Sequence, residues 1–202
     1  MKKLYDFLIE KEAKFGGGVA AILTGLFLFI AHVLNFIAGS DYGTVLGQSL
    51  VFIAHIIAVF AFIGIYDSQG RKNGTLGLLG MVLSTVGTII VSAVVYVEIA
   101  SASGVNVSSV FNEDVPRIIL IVGPLTFVVG MLCLGISTIL VRILPRWGGS
   151  LLVIGNVVFA IGSVEGNAEP IISVLGSAIT CGGFIWLGIF LIKMKKEDNL
   201  SY

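Results

Sequence analysis

Two histidines, three amides and one glutamate lie inside or at the edge of long apolar runs: His32, Asn35, His55, Asn156, Gln48 and Glu98. An ionised side chain in hydrocarbon costs about 2.5 to 3.5 kcal/mol on insertion scales, so each such residue is a candidate for function. His32 and Asn35 share one helical face at a spacing of three. Measured from the centres of the runs that carry them, His32 sits roughly 6 Å and His55 roughly 2 Å toward the outer side, at similar depth. Three chemistries fit this pair. Two imidazoles can ligate one haem iron. Alternatively, His32, Asn35, His55 and Glu98 line an outward-facing intramembrane polar pocket for a small or lipid-like molecule. In the third reading each group hydrogen-bonds a neighbouring helix and only holds the bundle together.

The elements that would position these residues follow from composition. The chain is 56% hydrophobic and 12% charged, with a mean hydropathy of +1.05, more apolar surface than 202 residues can enclose in water. Apolar runs predict an all-α bundle of six transmembrane helices, near Gly18 to Ala38, Gly47 to Tyr66, Thr75 to Val97, Ile118 to Val141, Trp147 to Val164 and Pro170 to Ile192. Residues 1–17 place Leu4, Phe7, Leu8 and Phe15 at helical spacing among charges, the pattern of a helix lying in the cytoplasmic interface. Gly16, Gly17 and Gly18 then let the chain turn into the bilayer. Residues 18–192 form the transmembrane domain and residues 193–202 a polar cytoplasmic tail. The first run is too long for the apolar part of a signal peptide and is expected to be retained.

Every Lys and Arg except Arg117 falls before the first run, between the second and third, between the fourth and fifth, or after the sixth. The positive-inside rule therefore places both termini in the cytoplasm. The outer side is left acidic, with Asp41, Glu113, Asp114, Glu165 and Glu169. Asn112, Glu113 or Asp114 can cap the fourth helix, with Pro116 in its first turn. Zero net charge and the absence of a long polybasic run give no case for nucleic acid.

Glycine, at 26 residues, is abundant. Gly17, Ala21 and Gly25 form a stripe four apart on the first helix, and Gly80, Ser84, Thr88 and Ser92 another on the third, as close helix contacts in lipid require. A shift of 75 residues aligns Gly74, Gly80 and Gly87 with Gly149, Gly155 and Gly162, suggesting that the second and third helices repeat as the fourth and fifth. Pro124, beside Gly123, removes one backbone bond from the fourth helix. Cys133 and Cys181 lie in apolar runs and read as packing residues.

The turn Arg142, Ile143, Leu144, Pro145, Arg146, Trp147, followed by Gly148 and Gly149, resembles that of small uncharacterised bacterial six-helix membrane proteins with an Arg-x-Leu-Pro-Arg-Trp signature. The resemblance covers the second to sixth helices and brings no activity with it. In size, helix count and orientation the chain is also similar to the substrate-binding subunits of energy-coupling-factor transporters. That similarity implies that Gly17, Ala21 and Gly25 dock a membrane partner, although the outer loops hold no recognisable ligand-binding motif.

No nucleophile elbow, zinc-protease motif, phosphate-binding loop or intramembrane lysine supports catalysis. The expectation is a non-enzymatic membrane protein without a resident cofactor, binding a small or lipid-like molecule or serving as an accessory subunit. The alternatives are a bis-histidine haem protein in electron transfer and a structural or immunity-type protein with no ligand. Beyond the lipid bilayer, the expected partner is a second membrane protein or another copy of the chain.

Overall fold

The computed structural model describes residues 2–39, 43–162 and 169–200. These residues form α1 (Lys2–Ala38), α2 (Val45–Gln69), α3 (Gly74–Ala102), a short α4 (Ser108–Asn112), α5 (Asp114–Val141), α6 (Arg146–Gly162) and α7 (Glu169–Leu200), with a 3-10 turn at Gly70–Asn73. The described residues contain no strand, so the chain is all-α. Four stretches are long and apolar enough to cross a membrane: Ala13–Ala38, Val45–Ala102, Asp114–Val141 and Glu169–Met194. The second contains both α2 and α3, folded back on each other at the 3-10 turn, and α6 is a shorter apolar helix.

Local chemistry sets the ends of these helices. Thr44 caps α2, its Oγ1 accepting from Gly47 N at 2.9 Å. Gly70 and Gly74 take positive φ at either side of the 3-10 turn, where a side chain would be strained. Arg142 closes α5 in the left-handed region, its N–H donating to Thr138 O. Glu113 is the N-cap residue of α5, without a side-chain bond, and Pro116 lies in the first turn.

Six helices form a closed ring in which each packs on its neighbours, in the order α1, α2, α3, α5, α6, α7 and back to α1. Its axis is filled. Phe62 of α2 meets Phe127 of α5 and Phe184 of α7, both at 6.3 Å between ring centroids, among Met131, Leu134, Leu152 and Leu187. The outward faces carry exposed Ile, Leu, Val and Phe, a surface suited to lipid.

Glycine sets how closely the ring closes. A Cβ on Gly80 or Gly87 would strike the backbone of Leu134 or Phe127, and one on Gly130 the backbone of Ser84, so at these positions α3 and α5 meet main chain to main chain. Gly155 meets Thr180 and Gly176 meets Phe159 across α6 and α7 in the same way. Gly17 lies on Gly64 between α1 and α2, Gly18 on Gly188 between α1 and α7, and Gly135 on Gly149 between α5 and α6. Among the described residues, the α2/α3 seam alone has no glycine against an opposing backbone.

Two expectations change here. α1 runs without a break through Gly16, Gly17 and Gly18, where the sequence suggested a turn. Gly17 and Gly18 serve instead as flat faces for α2 and α7. The Gly17, Ala21, Gly25 stripe is likewise occupied by this chain's own helices. Ala21 is fully buried and Gly25 lies against Cys181 and Phe184, so the stripe is closed to a docking partner.

The repeat also takes a different form. In α3/α5 the facing positions are 77/137, 80/134, 84/130 and 87/127, and in α6/α7 they are 152/183, 155/180, 159/176 and 162/173. A shift of 75 residues on the first helix and 46 on the second carries one set onto the other. The two hairpins thus share one register. Gly74 lies outside this equivalence, since it ends the 3-10 turn in open space, whereas Gly149 packs on Gly135 and Thr138.

Replacing Gly87 or Gly130 by Leu should therefore cost about 1–3 kcal/mol by overpacking and lower the melting temperature in detergent. Gly182→Ala, whose Cβ would meet only Leu151 at 3.7 Å, should leave it unchanged. Equal melting of all three variants would refute the seam description.

Candidate functional site

Each polar residue singled out by sequence has an identifiable position. His55 is buried at 7% exposure near the middle of α2. Its Nδ1 lies 2.5 Å from Thr88 Oγ1 on α3, and Thr88 Oγ1 also donates to the His55 carbonyl at 3.3 Å. The imidazole packs edge-on against Phe127 at 5.3 Å. One turn along α3, Ser92 Oγ donates to Thr88 O at 2.9 Å.

His32 points elsewhere, packing edge-on against Phe159 of α6 at 5.0 Å. The contact of Gly17 with Gly64 and of Asn35 with Gly47 fixes the register of α1 on α2. That register puts His32 about level with Leu50, roughly 8 Å along the axis from His55. The two imidazoles pack edge-on against different helices, Phe159 of α6 and Phe127 of α5, yet lie close enough for their charges to interact.

Asn35 ties the C-terminal end of α1 to the start of α2, its Oδ1 accepting from Thr44 N at 2.9 Å and Thr44 Oγ1 at 3.2 Å. Glu98 lies ten residues beyond Thr88 on α3, about 15 Å along the axis, with the like charge of Glu169 as a neighbour. Gln48 is buried near the start of α2. Asn156 spans from α6 to α5, donating to Val128 O at 2.9 Å. Tyr96 is exposed at 65% and tilts on Phe52. Asp41 and Glu165 lie outside the described residues. Of His32, Asn35, His55 and Glu98, each makes its own contacts with a neighbouring residue.

A cavity does form at His55. A cleft of about 290 Å³ between α2 and α3 is lined by His55, Ile56, Val59, Phe60, Ile89 and Ser92. Ile56, Phe60 and Ile89 are 47%, 61% and 57% exposed, so the cleft opens sideways onto the lipid-facing surface. A second cleft, of about 410 Å³ between α1 and α2, is apolar, with Ala13, Gly16, Gly17, Leu23, Ile57 and Phe60 among its walls. Phe60 borders both, and His32 lines neither.

Sequence reasoning missed a second polar cluster at the opposite end of α2. Gln69 Nε2 donates to Thr138 Oγ1 and Ile65 O, each at 3.3 Å. Asn73 Nδ2 donates to Tyr66 O at 2.5 Å and Gly70 O at 3.0 Å, and Ser137 Oγ reaches Asn73 Oδ1 at 3.4 Å. These bonds fold the α2/α3 turn onto α5 and complete the carbonyls left open at the end of α2. The available signal was the pair Gln69-Gly70 and Asn73-Gly74, an amide before a turn glycine twice within six residues. Among the described groups, the buried oxygens Thr24 Oγ1, Ser84 Oγ, Thr85 Oγ1 and Gln69 Oε1 have no hydrogen-bond partner.

Fold and surface together define the class, an all-α bundle with helices long and apolar enough to span a membrane. No family model, no curated protein and no solved structure matches the chain.

Asn35→Ala should remove the acceptor that orders Thr44 and destabilise the fold by about 1 kcal/mol, read as a lower melting temperature in detergent. An unchanged melting temperature would mean that the tie contributes nothing.

Proposed function

We propose that this chain is a six-pass protein of a bacterial cytoplasmic membrane, with both termini in the cytoplasm, that holds a lipid-soluble molecule in the α2/α3 cleft. The observation that carries the reading is a buried imidazole and a serine hydroxyl forming part of a cleft that is otherwise apolar and open to lipid. A polar group in hydrocarbon is costly, and a cleft that offers one to the bilayer suits an apolar molecule with a single hydrogen-bonding head. His32, Asn35 and Glu98 support the bundle in this reading, and no catalytic group is assigned. The orientation rests on charge: Lys14, Arg71, Lys72, Arg142, Arg146 and Lys193 gather at one end of the ring, while Arg117 lies at the other with Glu113, Asp114 and Glu169. Exposed Trp147 beside Arg146 suits the headgroup level at the basic end.

Cysteine labelling tests the orientation. In a cysteine-free background, Asn106→Cys should react with an impermeant maleimide in intact cells and Lys72→Cys only after permeabilisation. The reverse pattern would invert the topology.

Native mass spectrometry of protein taken gently from its own membrane tests the ligand. A discrete adduct should accompany the wild type, persist in His32→Ala and disappear in Ile89→Trp, which fills the cleft from its lipid-facing rim. A bare wild-type chain, or an adduct that survives Ile89→Trp, would refute the cleft reading. An adduct of haem mass, lost on changing either histidine, would establish a redox protein in its place.

A further inference from the structure

We infer that the α2/α3 cleft selects a lipid-soluble molecule that donates a hydrogen bond, an alcohol or phenol rather than a ketone, quinone or ether. The inference rests on the cleft reading above and names the chemistry of its ligand.

The argument is a count of protons. Thr88 has one hydroxyl proton, and Oγ1 makes two contacts, with the His55 carbonyl and with His55 Nδ1. Only one arrangement satisfies both. The hydroxyl proton goes to the carbonyl, which can only accept, and Nδ1 must then carry the ring proton and donate to Oγ1. A neutral imidazole has a single ring proton, so Nε2 is left as a bare acceptor, and no described residue bonds it. Ser92, the other polar wall of the cleft, has also committed its proton, to Thr88 O at 2.9 Å. Its remaining capacity is likewise to accept. Both polar groups at the cleft therefore offer lone pairs and no proton.

A carbonyl or ether oxygen placed there would meet only other acceptors and would lose its own solvation without gaining a bond. A hydroxyl can donate to Nε2, and being neutral it enters hydrocarbon at far lower cost than an ammonium group. The remaining walls, Ile56, Val59, Phe60 and Ile89, take an apolar body. The lock is Thr88: without its hydroxyl, the ring proton is free to move to Nε2 and the cleft gains a donor.

The test uses the full chain in detergent, labelled with a photoreactive long-chain primary alcohol. Labelling is competed with the unlabelled alcohol, its methyl ether and the matching methyl ketone. The alcohol should compete about tenfold better than the ether or ketone, the worth of one neutral hydrogen bond. In Thr88→Val this preference should shrink to within about twofold, on the same scale. Isotope-labelled histidine NMR gives a readout that needs no ligand, since His55 should show a protonated Nδ1 and a bare Nε2.

Equal competition by all three compounds, or a protonated Nε2, would overturn the hydroxyl preference while leaving the cleft as a site. Labelling that Ile89→Trp does not reduce would overturn the cleft reading itself, and this inference with it.

Discussion

Backbone set directly against backbone is the constraint on which this molecule depends. In hydrocarbon an apolar side chain gains little by leaving lipid for protein, so helices hold together through dispersion and whatever polar bonds they can reach. Dispersion needs close approach, and glycine permits it. Five of the six seams of the ring contain a glycine seated on an opposing main chain, including Gly80 and Gly87 on α5 and Gly18 on Gly188. The large side chains are thereby directed either outward to lipid or inward to the axis, where Phe62, Phe127 and Phe184 meet.

Polar side chains perform the second task, fixing which helices pair and how they end. Asn156 reaches a main-chain carbonyl across a seam, Asn35 orders the start of α2 through Thr44, and Gln69 with Asn73 folds the α2/α3 turn onto α5. A hydrogen bond in lipid has no water to compete with it, yet its net worth stays modest because alternative partners exist in the unfolded membrane state. Their contribution is therefore more to register than to gross stability. His55 differs from the others in bonding a neighbour through its ring while its residue also borders a cleft.

Much of the architecture was legible from the sequence because apolar runs separated by charged turns leave little choice of element. The expected helix near Thr75 to Val97 lies within Gly74–Ala102, and that near Ile118 to Val141 within Asp114–Val141. Glycine spacing pointed to contacts but not to partners, so Gly17 and Ala21 could be read as an outward docking stripe when they are interior. The turn expected at Gly16 to Gly18 failed for a related reason: three glycines permit a bend, but they also permit a flat contact, and packing on Gly64 decides for the latter. His55 and the stripe containing Thr88 and Ser92 were each visible, yet their union was not. It depends on how α2 slides along α3, which no single helix encodes. The axial offset between His32 and His55 depends on the register set by Gly17 and Gly64, which run midpoints ignore.

The seam without glycine has a mechanical meaning. Where α3 and α5, or α6 and α7, rest main chain on main chain at glycine, the contact has no rotamer freedom of its own. Between α2 and α3 the contact is made by side chains, which can change rotamer one at a time, and it is fastened near its middle by His55 and Thr88. That seam is thus held by side chains and one polar pair, where the other five rest on glycine. The cleft bordered by Ile56, Phe60 and Ile89 lies on the same seam and opens on the face suited to lipid.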